Sequence, residues 1–508
     1  MNYAPTMPEQ PTLEVYVKQA LFCWFDTHSE SYCQTNKTLF LQVDSIPVED
    51  RAESPAFCVL LDDVIQTLTI KNPAYIQAEK AGRWTGNIDR LLKYYELRAN
   101  DKDEKFLVLP RGFLPLLLSR AKQHKLRWTL HDYTHTREAI EFNSTIQLRD
   151  YQQPAVDAAI EKGGGVIVSP AGSGKTVMGL ELIARLRQPA LWVTHTKELL
   201  YQAIDRAVEF LQLQKDEIGI YGGGKKTIGE KLTVGLVQTL VKGLSEELLN
   251  GVGTVILDEA HHCPASSFLE VVSQFPAKYR LGLTATPYRK DGLTKPMYWT
   301  LGYKVYEVVT DMLMDTGKVI RPAVNFVESD FYYPYDDDYA AMITALTEDT
   351  ERNQLIIQRL SAEAIGGHYC IVLSERVDHC YVLRELLANA APGVSSEVLV
   401  GSVPKTKRQE IVECLRNKDI QIIFATNPLA EEGLDLPHLD RLFLTCPSRN
   451  KRKVIQAVGR IMRPSPGKTD AVVYDVIDPE VGLLASQARS RMRMYEELRE
   501  GGSINETV

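Results

Sequence analysis

The segment Ser169-Pro170-Ala171-Gly172-Ser173-Gly174-Lys175-Thr176 has the make-up of a phosphate-gripping loop: it follows an apolar run and opens a helical pattern. Glycines let backbone N–H groups turn inward around phosphate oxygens, and a helix N-terminus adds partial positive charge. In that arrangement Ala171, Gly172, Ser173 and Gly174 form the cradle, Lys175 reaches the β- and γ-phosphates, and Thr176 ligates magnesium. Ser169 stands where the usual pattern has its first glycine. Downstream, Val255-Ile256-Leu257 leads into Asp258-Glu259-Ala260-His261. Two adjacent acids at a strand end can divide hydrolytic work, Asp258 holding Mg2+ and Glu259 orienting and deprotonating the attacking water. A nucleoside triphosphate and Mg2+ are what these two segments require.

A third group is cationic. Gln456-Ala457-Val458-Gly459-Arg460-Ile461-Met462-Arg463 reads as helix, with Arg460 and Arg463 three apart on one face. An arginine near a γ-phosphate neutralises charge that builds up in phosphoryl transfer. Gln456 shares that segment, and Thr426, followed by Gly433 and Asp435, marks a strand-end loop suited to close on a nucleotide.

The elements that must hold these residues follow from hydropathy. Short β-rich runs at Gly165–Ser169, Leu191–Thr194, Leu232–Val237, Val255–Leu257 and Leu281–Leu283 alternate with helical stretches, and a second set runs Tyr369–Leu373, Val398–Val400, Ile422–Ala425, Leu442–Leu444 and Val472–Tyr474. This is the pattern of parallel α/β sheets, so the fold class expected is α/β, with two similar lobes in tandem behind a small α+β domain. The expected domains are 1–143, 144–345 with a connector that includes Asp336–Asp338, and 346–508.

The 508 residues, 44% hydrophobic and 24% charged, are those of an ordinary globular chain. The apolar stretch around Phe113–Leu118 is too short for a bilayer, and no basic segment followed by an apolar one opens the sequence, so a cytoplasmic protein is expected. Eight cysteines without a C-x-x-C pair argue against zinc and disulfide frameworks. The net charge of -8 means that any phosphate contact has to come from local basic patches. The first domain supplies one in Arg83, Arg90, Lys93, Arg98, Arg111, Arg120, Lys122, Lys125 and Arg127, of which Arg83, Arg111 and Lys122 are the leading candidates. Trp84, Phe113 and Trp128 there are either core aromatics or part of that surface.

From Leu148 to Pro464 the chain resembles a superfamily 2 helicase, which implies that the two lobes are RecA-like and that the nucleotide is ATP. Leu148-Arg149-Asp150-Tyr151-Gln152 is similar to the Q-type motif, which implies that Arg149 and Gln152 lie at the adenine; Asp258–His261 is a DEAH-type motif; Thr284-Ala285-Thr286-Pro287 resembles motif III. The resemblance implies that His261, Thr284 and Thr286 couple hydrolysis to movement, and that Thr196, Gln238, Thr239, Arg289, Ser374 and Thr426 contact a nucleic-acid backbone. The XPB-type translocases and UvsW-type phage branch-migration helicases resemble it most, although Arg289-Lys290-Asp291 carries lysine where the XPB-type motif has an acid. The partner implied is DNA, duplex or branched, including forks, junctions and R-loops, with a protein partner open for the N-terminal domain and no membrane. An ATP-gated binding module and an RNA helicase are the competing readings.

Overall fold

The computed structural model describes residues 12–17, 21–26, 55–99, 105–170, 172–260, 265–285, 293–309, 314, 319–426, 436–448 and 451–499. Ala171, His261, Thr286, Arg289, Gly433 and Asp435 lie outside the described residues. The chain divides into two compact units, Met1–Val168 with Thr176–Glu307, and Ser169–Lys175 with Val308–Val508.

In the first unit, an eight-stranded sheet runs Lys225–Lys226, Gly219–Gly222, Leu232–Leu236, Ala190–Thr194, Thr254–Leu257, Tyr279–Thr284, Gly164–Val168 and Lys304–Glu307. Apart from Lys225–Lys226, each strand pairs in parallel with its neighbours. The central strands Ala190–Thr194, Leu232–Leu236 and Thr254–Leu257 are buried at every residue, as expected of a sheet covered on both faces. The helix Lys175–Leu186 packs closely on this sheet because Gly179 has no side chain: a Cβ there would lie 2.7 Å from the Trp192 ring and from Leu283 Cδ1. A glycine inside a helix costs about 1 kcal/mol relative to alanine, which this close approach offsets.

The described residues before 143 form a five-stranded mixed sheet, a two-stranded antiparallel sheet and helices that include Pro55–Thr67, Pro73–Lys80 and Leu114–Gln123. Their core is Leu60, Val64, Leu68, Phe113, Leu117 and their neighbours, and it includes Trp299, which the helix Thr294–Leu301 supplies. Phe113 and Tyr94 both meet the Trp299 ring edge-on, with centroids at 6.3 and 5.5 Å. Gly112 is required where the chain crosses that helix: a Cβ would stand 2.4 Å from the Gly302 nitrogen and 2.6 Å from the Tyr298 carbonyl oxygen. The Pro-Arg-Gly-Phe element is therefore a docking element within the first unit.

The second unit holds a six-stranded parallel sheet in the order Ala323–Glu328, Val472–Ile477, Arg441–Leu444, Cys370–Ser374, Ile422–Thr426 and Ser396–Leu399. The boundary expected at 345 falls inside the helix Tyr339–Glu348, and the strand Ala323–Glu328, expected within 144–345, is an edge of this second sheet. An edge strand earns its place by one neighbour far away in sequence, here Val472–Ile477, and local pattern carries no trace of that. Among the described residues no helix is long and apolar enough to cross a membrane.

Candidate functional site

The phosphate loop leaves the C-terminal end of Gly164–Val168. Gly172 and Gly174 take φ of 82° and 80°, the left-handed region that glycine enters without strain. The Ser169 hydroxyl, buried in place of the usual glycine, donates to Ser173 Oγ at 2.5 Å, and Ser173 Oγ donates to the Pro170 carbonyl at 2.6 Å. The Lys175 ammonium lies 3.4 and 3.5 Å from the carbonyls of Ser169 and Pro170, and Thr176 follows it at the start of the helix. In the second unit, to which the loop belongs by its contacts, a Cβ on Gly172 would meet Arg463 Cγ at 3.2 Å and the Gly459 carbonyl at 3.5 Å. The loop thus brings glycines, a lysine and an arginine together as a triphosphate requires.

The two acids sit on a pinned turn. Asp258 N–H donates to the Val193 carbonyl and Ala260 N–H to the Leu283 carbonyl, both at 3.0 Å, so the turn is tied to the strands on either side of Thr254–Leu257. Between them Glu259 has φ 50°, a left-handed conformation costing roughly 1–2 kcal/mol for a residue with a side chain. That strain persists because both flanking N–H groups are held. Asp258 is buried and Glu259 half-buried. Thr284 is fully buried at the end of Tyr279–Thr284, in register with Val168, the residue before the phosphate loop. Gln152 is buried too, and its Oε1 accepts the Arg149 N–H at 2.9 Å, which folds Arg149–Gln152 into a closed turn ahead of the helix Gln153–Lys162.

The oxygen donors Thr176 and Asp258 suit a hard cation such as Mg2+. The glycine loop, Lys175 and Arg463 of one unit suit a triphosphate, and these two oxygen donors belong to the other unit.

The expected backbone-contact residues divide. The Gln238 amide donates to the His195 carbonyl at 2.8 Å, bringing Gln238 and Thr239 beside Thr196 at the ends of two paired strands. Thr196 caps the helix Lys197–Leu211 by accepting the Leu199 N–H at 3.2 Å. Thr426 ends Ile422–Thr426 half-exposed. Ser374 is buried instead, because its hydroxyl is spent internally: Oγ lies 3.0 Å from His379 Nδ1 and accepts the Arg376 N–H at 3.1 Å. Asn353 Oδ1 takes the proton of His379 Nε2 at 2.9 Å, so Nδ1 must accept and Ser374 must donate. A side-chain contact from Ser374 to a nucleic acid is thereby removed.

Arg111 is corrected likewise. Its guanidinium donates to the carbonyls of Ala277 (2.6 Å) and Lys278 (2.9 Å), and burial lowers its pKa to about 10. It ties Pro-Arg-Gly-Phe to the first lobe and is not an open phosphate contact. Arg120 is also engaged, with Asp63 at 3.1 Å and Thr67 Oγ1 at 2.6 Å. Arg83 and Lys122 are exposed.

Arg460 and Gln456 lie on the helix Lys451–Ile461, but Arg463 lies in the turn beyond its end, so the two arginines do not share a helical face. What holds the turn is a residue that sequence reasoning missed. The Lys468 ammonium donates to the carbonyls of Pro437, Leu439 and Arg463 at 3.1, 2.6 and 2.9 Å, and burial lowers its pKa to about 8. The closeness of His195, which belongs to the expected backbone-contact segment 194–198, to Glu259 was missed as well. Burial lowers the pKa of His195 while the charge of Glu259 opposes that shift. A lone lysine after Pro-Gly and a histidine at a strand end give no signal above the background of surface residues.

Residues 145–289 match the family described as the res subunit of type III restriction enzymes, and residues 351–465 match the helicase conserved C-terminal domain. A protein of Acanthamoeba polyphaga mimivirus, named for an ATP-dependent RNA helicase, is 28% identical over 365 residues, 69% of this chain and 68% of its own length. The DNA 3'-5' helicase XPB of Kineococcus radiotolerans is 28% identical over 345 residues, and the match spans 65% of this chain and 59% of that protein. Among solved structures, an ATP-dependent type ISP restriction-modification enzyme bound to DNA shares the fold at TM-score 0.52 and 16% identity, over 70% of this chain and 30% of that one.

Proposed function

We propose, for a chain that belongs to superfamily 2 of the helicases, that it is an ATP-driven motor which separates or remodels DNA strands, with branched DNA such as forks and junctions as its substrate. The observation that carries this reading is the phosphate loop and the strained acid turn, held at the C-terminal ends of strands in one parallel sheet.

Lys175 and the loop N–H groups hold the β- and γ-phosphates. Asp258 and Thr176 would hold the magnesium, which neutralises charge on the transferring phosphate when bound. Glu259, fixed by its own backbone, orients the attacking water and takes its proton, and Arg463 lies against the loop where negative charge grows. The ledge of Thr196, Gln238 and Thr239 presents hydroxyls, an amide and a helix N-terminus to a phosphate backbone.

ATP turnover by the full chain, measured without nucleic acid and with duplex, forked, single-stranded and RNA substrates, together with strand displacement of a labelled fork, tests the reading. Turnover stimulated by forked DNA, with displacement, is expected. RNA-only stimulation would favour the activity named for the mimivirus relative. Stimulation without displacement of any strand would leave an ATP-gated binding module.

A further inference from the structure

The loop joining the helix Pro73–Lys80 to the strand Leu91–Lys93 exposes Trp84 at 74% of its surface, whereas Trp192 and Trp299 are buried. The exposure is built in. Asn72 is buried beneath the loop, donating its amide to the Asp89 carbonyl at 2.7 Å and its N–H to the Arg90 carbonyl at 3.0 Å. Arg83 N–H bonds the Ala78 carbonyl at 2.9 Å, and Ile88 N–H the Thr85 carbonyl at 3.0 Å. The indole rests against Gly86, where a Cβ would come within 2.4 Å of Trp84 Cζ2, and is otherwise open to solvent. The core-aromatic reading of Trp84 is thus excluded.

The surroundings are cationic. Between residues 71 and 93 Lys71, Lys80, Arg83, Arg90 and Lys93 are all exposed against only Glu79 and Asp89, in a chain whose net charge is -8. An aromatic face held open beside guanidinium groups is the chemistry that binds an unpaired nucleobase with its phosphates. We propose that Trp84 is a stacking platform for a nucleobase of unpaired DNA, with Arg83 and Arg90 on the adjoining phosphates. This deepens the DNA reading above and rests on it.

The full chain, Trp84→Ala and Trp84→Phe are compared without ATP for binding to a fork with unpaired arms and to a blunt duplex, by fluorescence anisotropy. Stacking is worth about 1–3 kcal/mol per base, so Trp84→Ala is expected to weaken fork binding roughly 5- to 150-fold. It should leave duplex binding and thermal unfolding unchanged, and Trp84→Phe should keep most of the affinity. A 2-aminopurine in the unpaired arm should be quenched by the full chain and not by Trp84→Ala. Equal fork affinity in Trp84→Ala, or an equal loss on blunt duplex, overturns the proposal. So does Trp84-dependent sedimentation with phosphatidylserine vesicles alongside unchanged DNA binding. Lack of DNA-stimulated ATP hydrolysis in the full chain would sink the motor and leave this binding result standing.

Discussion

The Lys468 ammonium holds the carbonyl of Arg463 at 2.9 Å, and with it the turn that sets the arginine against the phosphate loop. Its other two bonds run to Pro437 and Leu439, so one side chain fastens two loops of the second sheet. Lys468→Met keeps the stem and removes all three donors. Turnover is expected to fall about tenfold or more, the size of a lost charge-assisted hydrogen bond, with little change in nucleotide affinity. Burial lowers the folded pKa of Lys468 to about 8, below the value in the unfolded chain, so the folded chain sheds this proton first. Stability therefore gains from this group as pH rises above about 8, while turnover drops as the third hydrogen bond is lost. Kinetic and thermal pH profiles of the two proteins check both signs.

Lys175→Ala and Glu259→Gln should both abolish hydrolysis and differ in binding. The first removes charge from the phosphate site and weakens the nucleotide, whereas the second keeps shape and magnesium donors and loses the base, at a cost on the order of a hundredfold to ten-thousandfold in rate. Titration of a fluorescent ATP analogue separates them, and equal loss of affinity in both would contradict these roles. Arg463→Ala is expected to lower turnover by roughly a thousandfold with binding largely retained.

His379 predicts an acid weakness in the second unit. Burial, helped by the Arg352 charge, lowers its pKa from 6.5 to about 3, so the unfolded chain takes up this proton first as pH falls. Its stabilising contribution is complete above pH 6.5 and drains away below it, by about 2 kcal/mol at pH 5. Thermal unfolding at pH 5 and 7.5 should show the loss, and His379→Gln should flatten it.

Arg111→Ala should destabilise and leave DNA binding alone, since the guanidinium bonds two backbone carbonyls in the first lobe. A loss of about 1.5–3 kcal/mol is expected in denaturant titration. The exposed Lys122→Ala should do the reverse, costing no stability while weakening duplex binding and reducing its salt dependence.

The residues whose chemistry is local were legible in the sequence. A glycine loop between a buried strand and a helix, or paired acids after Val255-Ile256-Leu257, is specified by neighbours a few positions away. Gly165–Ser169 and Leu442–Leu444 were readable as strands because burial on both faces makes them continuously apolar. What stayed hidden depends on distant partners: the strand Lys304–Glu307 exists by pairing with Gly164–Val168, Arg111 is decided by carbonyls at 277 and 278, and Ser374 by a histidine whose own tautomer is set by Asn353. Exposure was equally illegible, since composition alone does not tell Trp84 on the surface from Phe113 in the core.

The contact of Gly112 with Gly302 and Tyr298 bears on how force would travel. The helix that ends at Gly302 runs straight into Tyr303, whose carbonyl accepts the Val166 N–H at 3.0 Å on the strand that leads to the phosphate loop. With no room for even a methyl group at Gly112, the N-terminal domain has no slack against this helix. Were a duplex bound to that domain, torque on it would pass to the strand Gly164–Val168 through this close-packed backbone.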